Sequence, residues 1–184
     1  MFSFRNRAYA LASAGVLAVV LAAVAVPASA QPRMTGYVGP EMVSDVKAAI
    51  AGGARSIDFG TSAAPPAGWD VHSGGLETAG WAIADALRAA GVKARCVGFC
   101  GSAMSQAVIA SGNCAVTANG FLMPHLAFVP GGTSAQNSLA RTLSSRAWLE
   151  HGMPADLVDK LERSPDDTIR LRPEDMKRVG CTFE

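Results

Sequence analysis

Helical and β-forming segments alternate between residues 41 and 123 of this 184-residue chain. Apolar residues at helical spacing predict helices over residues 41–51, 76–90 and 103–110, and further helices over about 135–151, 154–163 and 173–179. Short apolar runs predict strands in RSIDFG, over residues 92–99, and as one or two strands in CAVTANGFLMPH around a turn at Asn119-Gly120. Strands that alternate with helices favour an α/β fold with a mostly parallel sheet, followed here by a helical C-terminal portion.

The first thirty residues have the pattern of a secretory signal peptide. Arg5 and Arg7 precede an apolar run over residues 8–26, and A-S-A at residues 28–30 supplies the small residues of a cleavage site. The run is also close to the length that spans a bilayer, so a retained anchor is the alternative. Pro27 and the cleavage motif favour removal, which predicts one exported domain over residues 31–184.

The charge of the chain excludes two classes of partner. The formal charge is +1 for the whole sequence. Loss of the two leader arginines would bring it to about −1 for the mature chain. A near-neutral chain without clusters of lysine or arginine has no electrostatic footprint for nucleic acid or for an anionic membrane surface.

All four cysteines lie beyond the predicted leader, at Cys96, Cys100, Cys114 and Cys181. An oxidising compartment permits disulfides, and four cysteines allow three complete pairings between which the sequence does not choose. The redox motif C-x-x-C is absent, and no histidine follows at zinc-finger spacing, so no metal site is expected. The sequence predicts at least one structural disulfide, with four buried thiols as the alternative.

The stretch GFCGSAMSQAVIASG places Ser102 in a turn of small residues between a predicted strand and a predicted helix. A helix N-terminus leaves backbone N–H groups unpaired and carries partial positive charge. Those donors could hold a developing oxyanion beside a nucleophilic serine. A serine in this place can also be a simple N-cap, so both interpretations stay open from this stretch alone.

Two other segments could complete such a site. Gly74 and Gly75 precede the second predicted helix, where glycine lets the backbone turn tightly and point amides at a ligand. His125 ends the apolar run FLMPH, and histidine is the usual general base for a serine hydroxyl. His72 and His151 are weaker candidates, since the first lies in a Pro/Gly-rich loop and the second just before a glycine that ends a helix.

An acid that orients the histidine could come from ERSPDDTIRL. Asp166 and Asp167 follow a predicted helix there, and a carboxylate in that turn could reach the second ring nitrogen of a catalytic histidine. The alternative is a solvated loop or the start of the following segment.

The order of these elements resembles the Clp protease proteolytic subunit and its relatives in the crotonase-like superfamily, over about residues 37–183. HSGGLETAGWAIADAL is similar to the S-P-G-G segment of that family without its proline, and GFCGSAM is similar to its G-x-A-A-S-M-G nucleophile motif. The resemblance implies that Ser102 is the nucleophile and His125 the base. It implies that the amides of Gly75 and Ala103 form the oxyanion hole, and CGSA looks most like exported ClpP-like proteins.

The sequence departs from the family pattern in three places. Ser164 falls where the family has its aspartate, so Asp167 is the preferred acid, Asp166 the alternative, and a Ser-His dyad a further one. The segment after His125, which builds the inter-ring handle in the protease subunit, is shorter here. The loop over residues 61–71 is longer than in the family and could cover the site.

These features predict an exported ClpP-like serine hydrolase that cleaves peptides or proteins without a cofactor and without an ATPase partner, since no ATP pool is expected outside the cytoplasm. A homo-oligomer is expected. The first alternative is a binding or scaffolding module of the cell envelope with a vestigial site. The second is crotonase chemistry on an acyl-CoA thioester, against which export and the lack of basic clusters both argue.

Overall fold

The computed structural model describes residues 31–60, 74–164 and 168–184. The predicted signal peptide, the loop 61–71, His72, Asp166 and Asp167 lie outside these residues. The helices are α1 (Pro40–Ala51), α2 (Glu77–Ala90), α3 (Ala103–Ile109), α4 (Ser134–Glu150), α5 (Ala155–Arg163) and α6 (Pro173–Arg178). The strands are β1 (Arg33–Met34), β2 (Ser56–Phe59), β3 (Lys93–Cys96), β4 (Phe99–Gly101), β5 (Cys114–Val116), β6 (Phe121–Met123) and β7 (Cys181–Phe183).

The described strands form two parallel sheets. The larger has five strands in the order β1-β2-β3-β5-β7, and the smaller pairs β4 with β6. Neighbours β3 and β5 each leave the larger sheet and continue, after a bend, as neighbours β4 and β6 in the smaller one. The predicted α/β class with a mostly parallel sheet is therefore confirmed.

Helices α2 and α3 pack closely because Gly80 has no side chain. A Cβ at this position of α2 would lie 2.6 Å from the carbonyl oxygen of Ala103, the first residue of α3. On the same buried side of α2, Ile83 and Leu87 enter the core, and Gly91 ends the helix in the left-handed conformation that glycine adopts without strain. The close approach brings the first turns of α2 and α3 side by side.

Helix α4 begins with a capping box in which Thr133 and Gln136 satisfy each other's backbone N–H groups. Near its other end, Trp148 is fully buried and packs edge-to-face against Trp81 of α2, with ring centroids 5.0 Å apart. Its indole N–H donates to the carbonyl oxygen of His125 at 3.4 Å. The helix therefore supports the backbone that carries the predicted base.

One sequence prediction about strands was wrong. Residues 92–99 do not form one strand, since β3 and β4 belong to different sheets. The run CAVTANGFLMPH forms two strands around a turn, which is one of its two predicted forms, and these strands, β5 and β6, also lie in different sheets. A continuous apolar run does not reveal a bend when both halves are buried. The strands β1 and β7 were not predicted because two or three residues are too few for a periodic pattern.

Both pairs of cysteines are joined as disulfides. Cys96–Cys100 spans the bend between β3 and β4, and Cys114–Cys181 links β5 to β7 at directly paired positions of the sheet. Within the described part of the chain, no helix is long and apolar enough to cross a membrane.

Candidate active site

Parallel pairing of β4 with β6 brings Ser102 and His125 together. Gly101 lies opposite Met123 at the carboxyl ends of the two strands. The chain leaves β4 at Ser102, whose N–H donates to the carbonyl oxygen of Met123 at 3.1 Å. His125 follows β6 after a single proline, so both side chains lie at the same edge of the small sheet.

Ser102 has an unusual backbone conformation, with φ 55° and ψ −135°. Among the described residues it is the only non-glycine with positive φ, a conformation that costs free energy and is often found at functional sites. It occupies the N-cap position of α3, yet its side chain makes no capping hydrogen bond. Its Oγ lies 2.7 Å from Nε2 of His125 instead.

Contacts on both ring nitrogens determine which of them carries the proton when His125 is neutral. Its Nδ1 lies 2.6 Å from the carbonyl oxygen of Leu126, which can only accept a hydrogen bond. Nδ1 therefore carries the proton, and Nε2 presents a lone pair to the Ser102 hydroxyl. The imidazole is largely buried, with 8% of its surface exposed, and it is oriented to accept the serine proton.

The glycine pair touches the serine directly. A Cβ at Gly74 would overlap the side chain of Ser102, and a Cβ at Gly75 would overlap the backbone of Val38. Gly75 also has φ +118°, which favours glycine. Val38 forms a parallel bridge with Gly75, donates to Gly74 and accepts from Leu76, so this turn is held on both sides.

The N–H groups of Gly75 and Ala103 donate to no acceptor among the residues that the structure describes. Both residues line the same cleft as Ser102 and His125. Two free backbone donors beside a nucleophile have the composition of an oxyanion hole, which is where electrostatic stabilisation of acyl-transfer intermediates is usually largest. One belongs to the turn just before α2 and the other to the first residue of α3.

The predicted acids lie outside the described residues, but the chain on either side of them is anchored. Thr168, the residue after Asp167, forms an antiparallel bridge with His125. The next residue, Ile169, donates its N–H to the carbonyl oxygen of Pro124 at 3.1 Å. Ser164, the last described residue before the predicted acids, donates its hydroxyl to the carbonyl oxygen of Thr168 at 2.7 Å.

The cleft at the site has a volume of about 190 Å³. Apolar walls come from Tyr37, Leu76 and Phe128, and sequence reasoning missed two polar residues there, Glu77 and Gln106. His151, the third histidine of the sequence, is not part of this cleft among the described residues; it stacks on Trp81 with ring centroids 4.4 Å apart. Within the described residues, no group of three or more potential ligands could hold a metal ion.

Two solved structures of 1510-N membrane-bound stomatin-specific protease are similar to this chain. A serine-to-alanine mutant gives a TM-score of 0.51 at 14% identity, covering 82% of this chain and 78% of that one. A lysine-to-alanine mutant in complex with a substrate peptide gives a TM-score of 0.50 at 15% identity, covering 81% and 70%. The chain therefore has an α/β fold of the ClpP/crotonase-like type. No protein-family model matches it, and no curated protein matches its sequence.

Replacing Gly74 by alanine should reduce hydrolysis or active-site labelling by about 100-fold, because the new methyl group would displace Ser102 by an ångström or more. Gly74 does not have positive φ, so backbone strain would not contribute. Rates of labelling by a fluorophosphonate measure the effect. Gly52→Ala, at the exposed end of α1, is the control and should label at the wild-type rate. Normal labelling of Gly74→Ala would show that Ser102 is not held as described.

Proposed function

We propose that the chain is an exported serine hydrolase with a ClpP-like fold, and that it cleaves peptides. The observation that carries this proposal is the 2.7 Å contact between Oγ of Ser102 and Nε2 of His125, in a cleft that also contains two unpaired backbone N–H donors. A hydroxyl that donates to a correctly protonated imidazole is the arrangement of an activated serine nucleophile.

The reaction follows from these contacts. Ser102 Oγ attacks a carbonyl carbon while its proton passes to Nε2 of His125. The N–H groups of Gly75 and Ala103 hold the oxyanion that forms. Collapse of this intermediate breaks the amide bond, and the leaving nitrogen takes the proton from Nε2. A water molecule then repeats the sequence on the acyl ester, which releases the acid and restores the Ser102 hydroxyl.

The acid of a catalytic triad orients the histidine and stabilises its charged form. The Leu126 carbonyl oxygen performs the first of these tasks, because it holds the tautomer and the orientation of the His125 ring. A carboxylate would add stabilisation of the imidazolium that forms during attack. We assign this role to Asp167, with Asp166 as the alternative. In support, Asp167 precedes Thr168, which is paired with His125, and consecutive Cα atoms are about 3.8 Å apart.

A peptide substrate is supported by the fold that this chain shares with a protease. The lysine-to-alanine mutant of the stomatin-specific protease is in complex with a substrate peptide.

The proposed homo-oligomer is supported by Leu139 and Leu143, which lie one turn apart on α4 with 60% and 57% of their surfaces exposed.

Export is supported by the leader pattern and by the cysteines. The basic start, apolar run and A-S-A motif have the features that a signal peptidase requires. All four cysteines form disulfides in the structure, and such bonds persist in oxidising compartments rather than in the cytosol.

One experiment tests activity and export together. The full chain is expressed in a bacterium with an outer membrane, and the periplasmic fraction is treated with a fluorophosphonate probe. Intact-mass spectrometry should find the chain beginning at Gln31, with two disulfides and one probe adduct on Ser102. Ser102→Ala should be exported equally and remain unlabelled, while Ser44→Ala, which changes an exposed hydroxyl of α1, should label fully.

The possible outcomes separate the two parts of this proposal. A periplasmic chain that retains its leader would contradict cleavage. A processed chain that neither labels nor hydrolyses esters or peptides would contradict the hydrolase and would favour a binding module of the envelope. Labelling that survives in Ser102→Ala would place the nucleophile elsewhere.

A further inference from the structure

Glu77 brings a negative charge into the cleft of the proposed active site. Among the described residues that line this cleft, the ionisable side chains are Glu77, His125 and the Tyr37 phenol. Glu77 is the one carboxylate among them. It is the first residue of α2 and follows Gly75, a proposed oxyanion donor, by two positions. An acid in the first turn of a helix is favoured by the helix dipole, so a purely structural role must be weighed first.

The hydrogen bonds of Glu77 use only half of its carboxylate. Oε1 accepts from the Ser144 hydroxyl at 2.6 Å and from Nε2 of Gln106 at 3.2 Å. Ser144 is fully buried and Gln106 is 3% exposed, so both anchors lie in the protein interior. Among the described residues, Oε2 has no hydrogen-bond partner, and no lysine or arginine forms an ion pair with Glu77. The structure therefore fixes the carboxylate but does not neutralise it.

The carboxylate lies beside the place where a substrate carbonyl would bind. Gln106 is three residues after Ala103, and therefore one helical turn beyond the second oxyanion donor. Glu77 and its partner Gln106 thus each follow one of the two amide donors closely along the chain, Glu77 after Gly75 and Gln106 after Ala103. A substrate whose carbonyl oxygen meets those amides would bring its neighbouring side chain to this part of the cleft.

The remaining walls suit a long cationic side chain. Leu76 and the rings of Tyr37 and Phe128 line the cleft, and lysine and arginine bury their methylene stems on such surfaces while the charged end seeks a polar partner. Aromatic faces attract the same cations. A neutral aliphatic side chain could use the walls but would leave Oε2 of Glu77 without a partner.

We propose that Glu77 determines specificity by selecting a lysine or arginine side chain next to the scissile bond. This inference rests on the proposed function, since it assigns the substrate class of that site. It uses a charge-assisted hydrogen bond between the cation and Oε2, which is stronger than a neutral one.

Binding to a non-hydrolysing protein tests the inference without requiring turnover. The probes are two N-acetylated heptapeptides that differ only at the fourth, central residue, which is arginine in one and the neutral citrulline in the other. No other residue of either peptide has a cationic side chain. Ser102→Ala should bind the arginine peptide at least about tenfold more tightly than the citrulline peptide, which is the difference expected for a hydrogen bond to a charged group. In Ser102→Ala/Glu77→Gln the two affinities should agree within about twofold.

A matched variant separates charge from structure. Glutamine at position 77 keeps a carbonyl oxygen that can accept from Ser144 and Gln106, and circular dichroism verifies that it folds. Ser144→Ala, in the Ser102→Ala background, removes one anchor but keeps the charge, so the arginine preference should persist. If Glu77 had a purely structural role, Glu77→Gln would instead lower the affinities for the arginine and citrulline peptides together and leave their ratio unchanged.

The outcomes distinguish failure of the inference from failure of the proposed function. Equal binding of both peptides, no binding of either, or a preference that Glu77→Gln leaves intact would overturn the inference. If wild type labels with fluorophosphonate in those cases, the hydrolase stands without this specificity. If arginine is preferred but wild type neither labels nor hydrolyses, the role of Glu77 stands as ligand selection by a binding module.

Discussion

Replacing His125 by alanine should lower the rate of ester and peptide hydrolysis by about 10³-fold or more. Nε2 of this histidine is 2.7 Å from Oγ of Ser102, and no other described histidine lines the cleft. Without it, the serine proton would have to pass to water, and the leaving nitrogen would lose its acid. Single-turnover rates with a chromogenic ester and a fluorogenic peptide measure the loss.

His151→Ala is a closely matched control. Its Nδ1 also lies near a backbone carbonyl oxygen, that of Ala147 at 2.8 Å, and its ring is also partly buried, on Trp81. The difference is that it does not contact Ser102. Its replacement should change hydrolysis by no more than about threefold, the level of a minor packing effect on an intact site. If both variants lost activity equally, the loss would reflect damage to the fold rather than removal of the base.

The proximity of Ser102 and His125 follows from features that a sequence shows. Each residue comes just after an apolar run, and the carboxyl ends of neighbouring parallel strands meet at one edge of a sheet. The glycine pair is recognisable for the same reason, because a turn before a helix needs residues without side chains. These three features depend on local patterns, and they located most of the candidate site.

Other parts of the site depend on contacts that no local pattern records. The carbonyl oxygen of Leu126 orients the imidazole, yet every residue has such a group. Glu77 looks like an ordinary acid at the start of a helix, and only its contacts with α3 and α4 show that it is fixed inside the cleft. The positive φ of Ser102 is likewise invisible, because serine has no general preference for it.

The pairing of the cysteines could not be predicted for a similar reason. Cys181 belongs to β7, a strand of three residues at the far end of the chain, and nothing in that short run indicates that it lies beside β5. The partner of Cys114 is set by the order of strands in the sheet. The pair Cys96–Cys100 depends on the bend between β3 and β4, which the continuous apolar run over residues 92–99 does not reveal.

Removing the disulfide between Cys114 and Cys181, by replacing both with alanine, should lower the free energy of unfolding by about 4 kcal/mol. The bond joins residues 67 positions apart, so its loss gives the unfolded chain much additional conformational freedom. A domain of this size is usually stable by only about 5–15 kcal/mol. Guanidinium unfolding of the oxidised proteins, followed by circular dichroism, measures the change.

The second disulfide provides the control for this prediction. Cys96 and Cys100 are only four positions apart, so replacing both by alanine should cost about 2 kcal/mol in the same entropic terms. All four cysteines are 3% exposed or less, and both double variants therefore lose similar buried volume. Equal destabilisation would mean that packing dominates. A clearly larger effect at Cys114–Cys181 would show that this bond, by closing the long loop, holds the C-terminal strand β7 in the sheet.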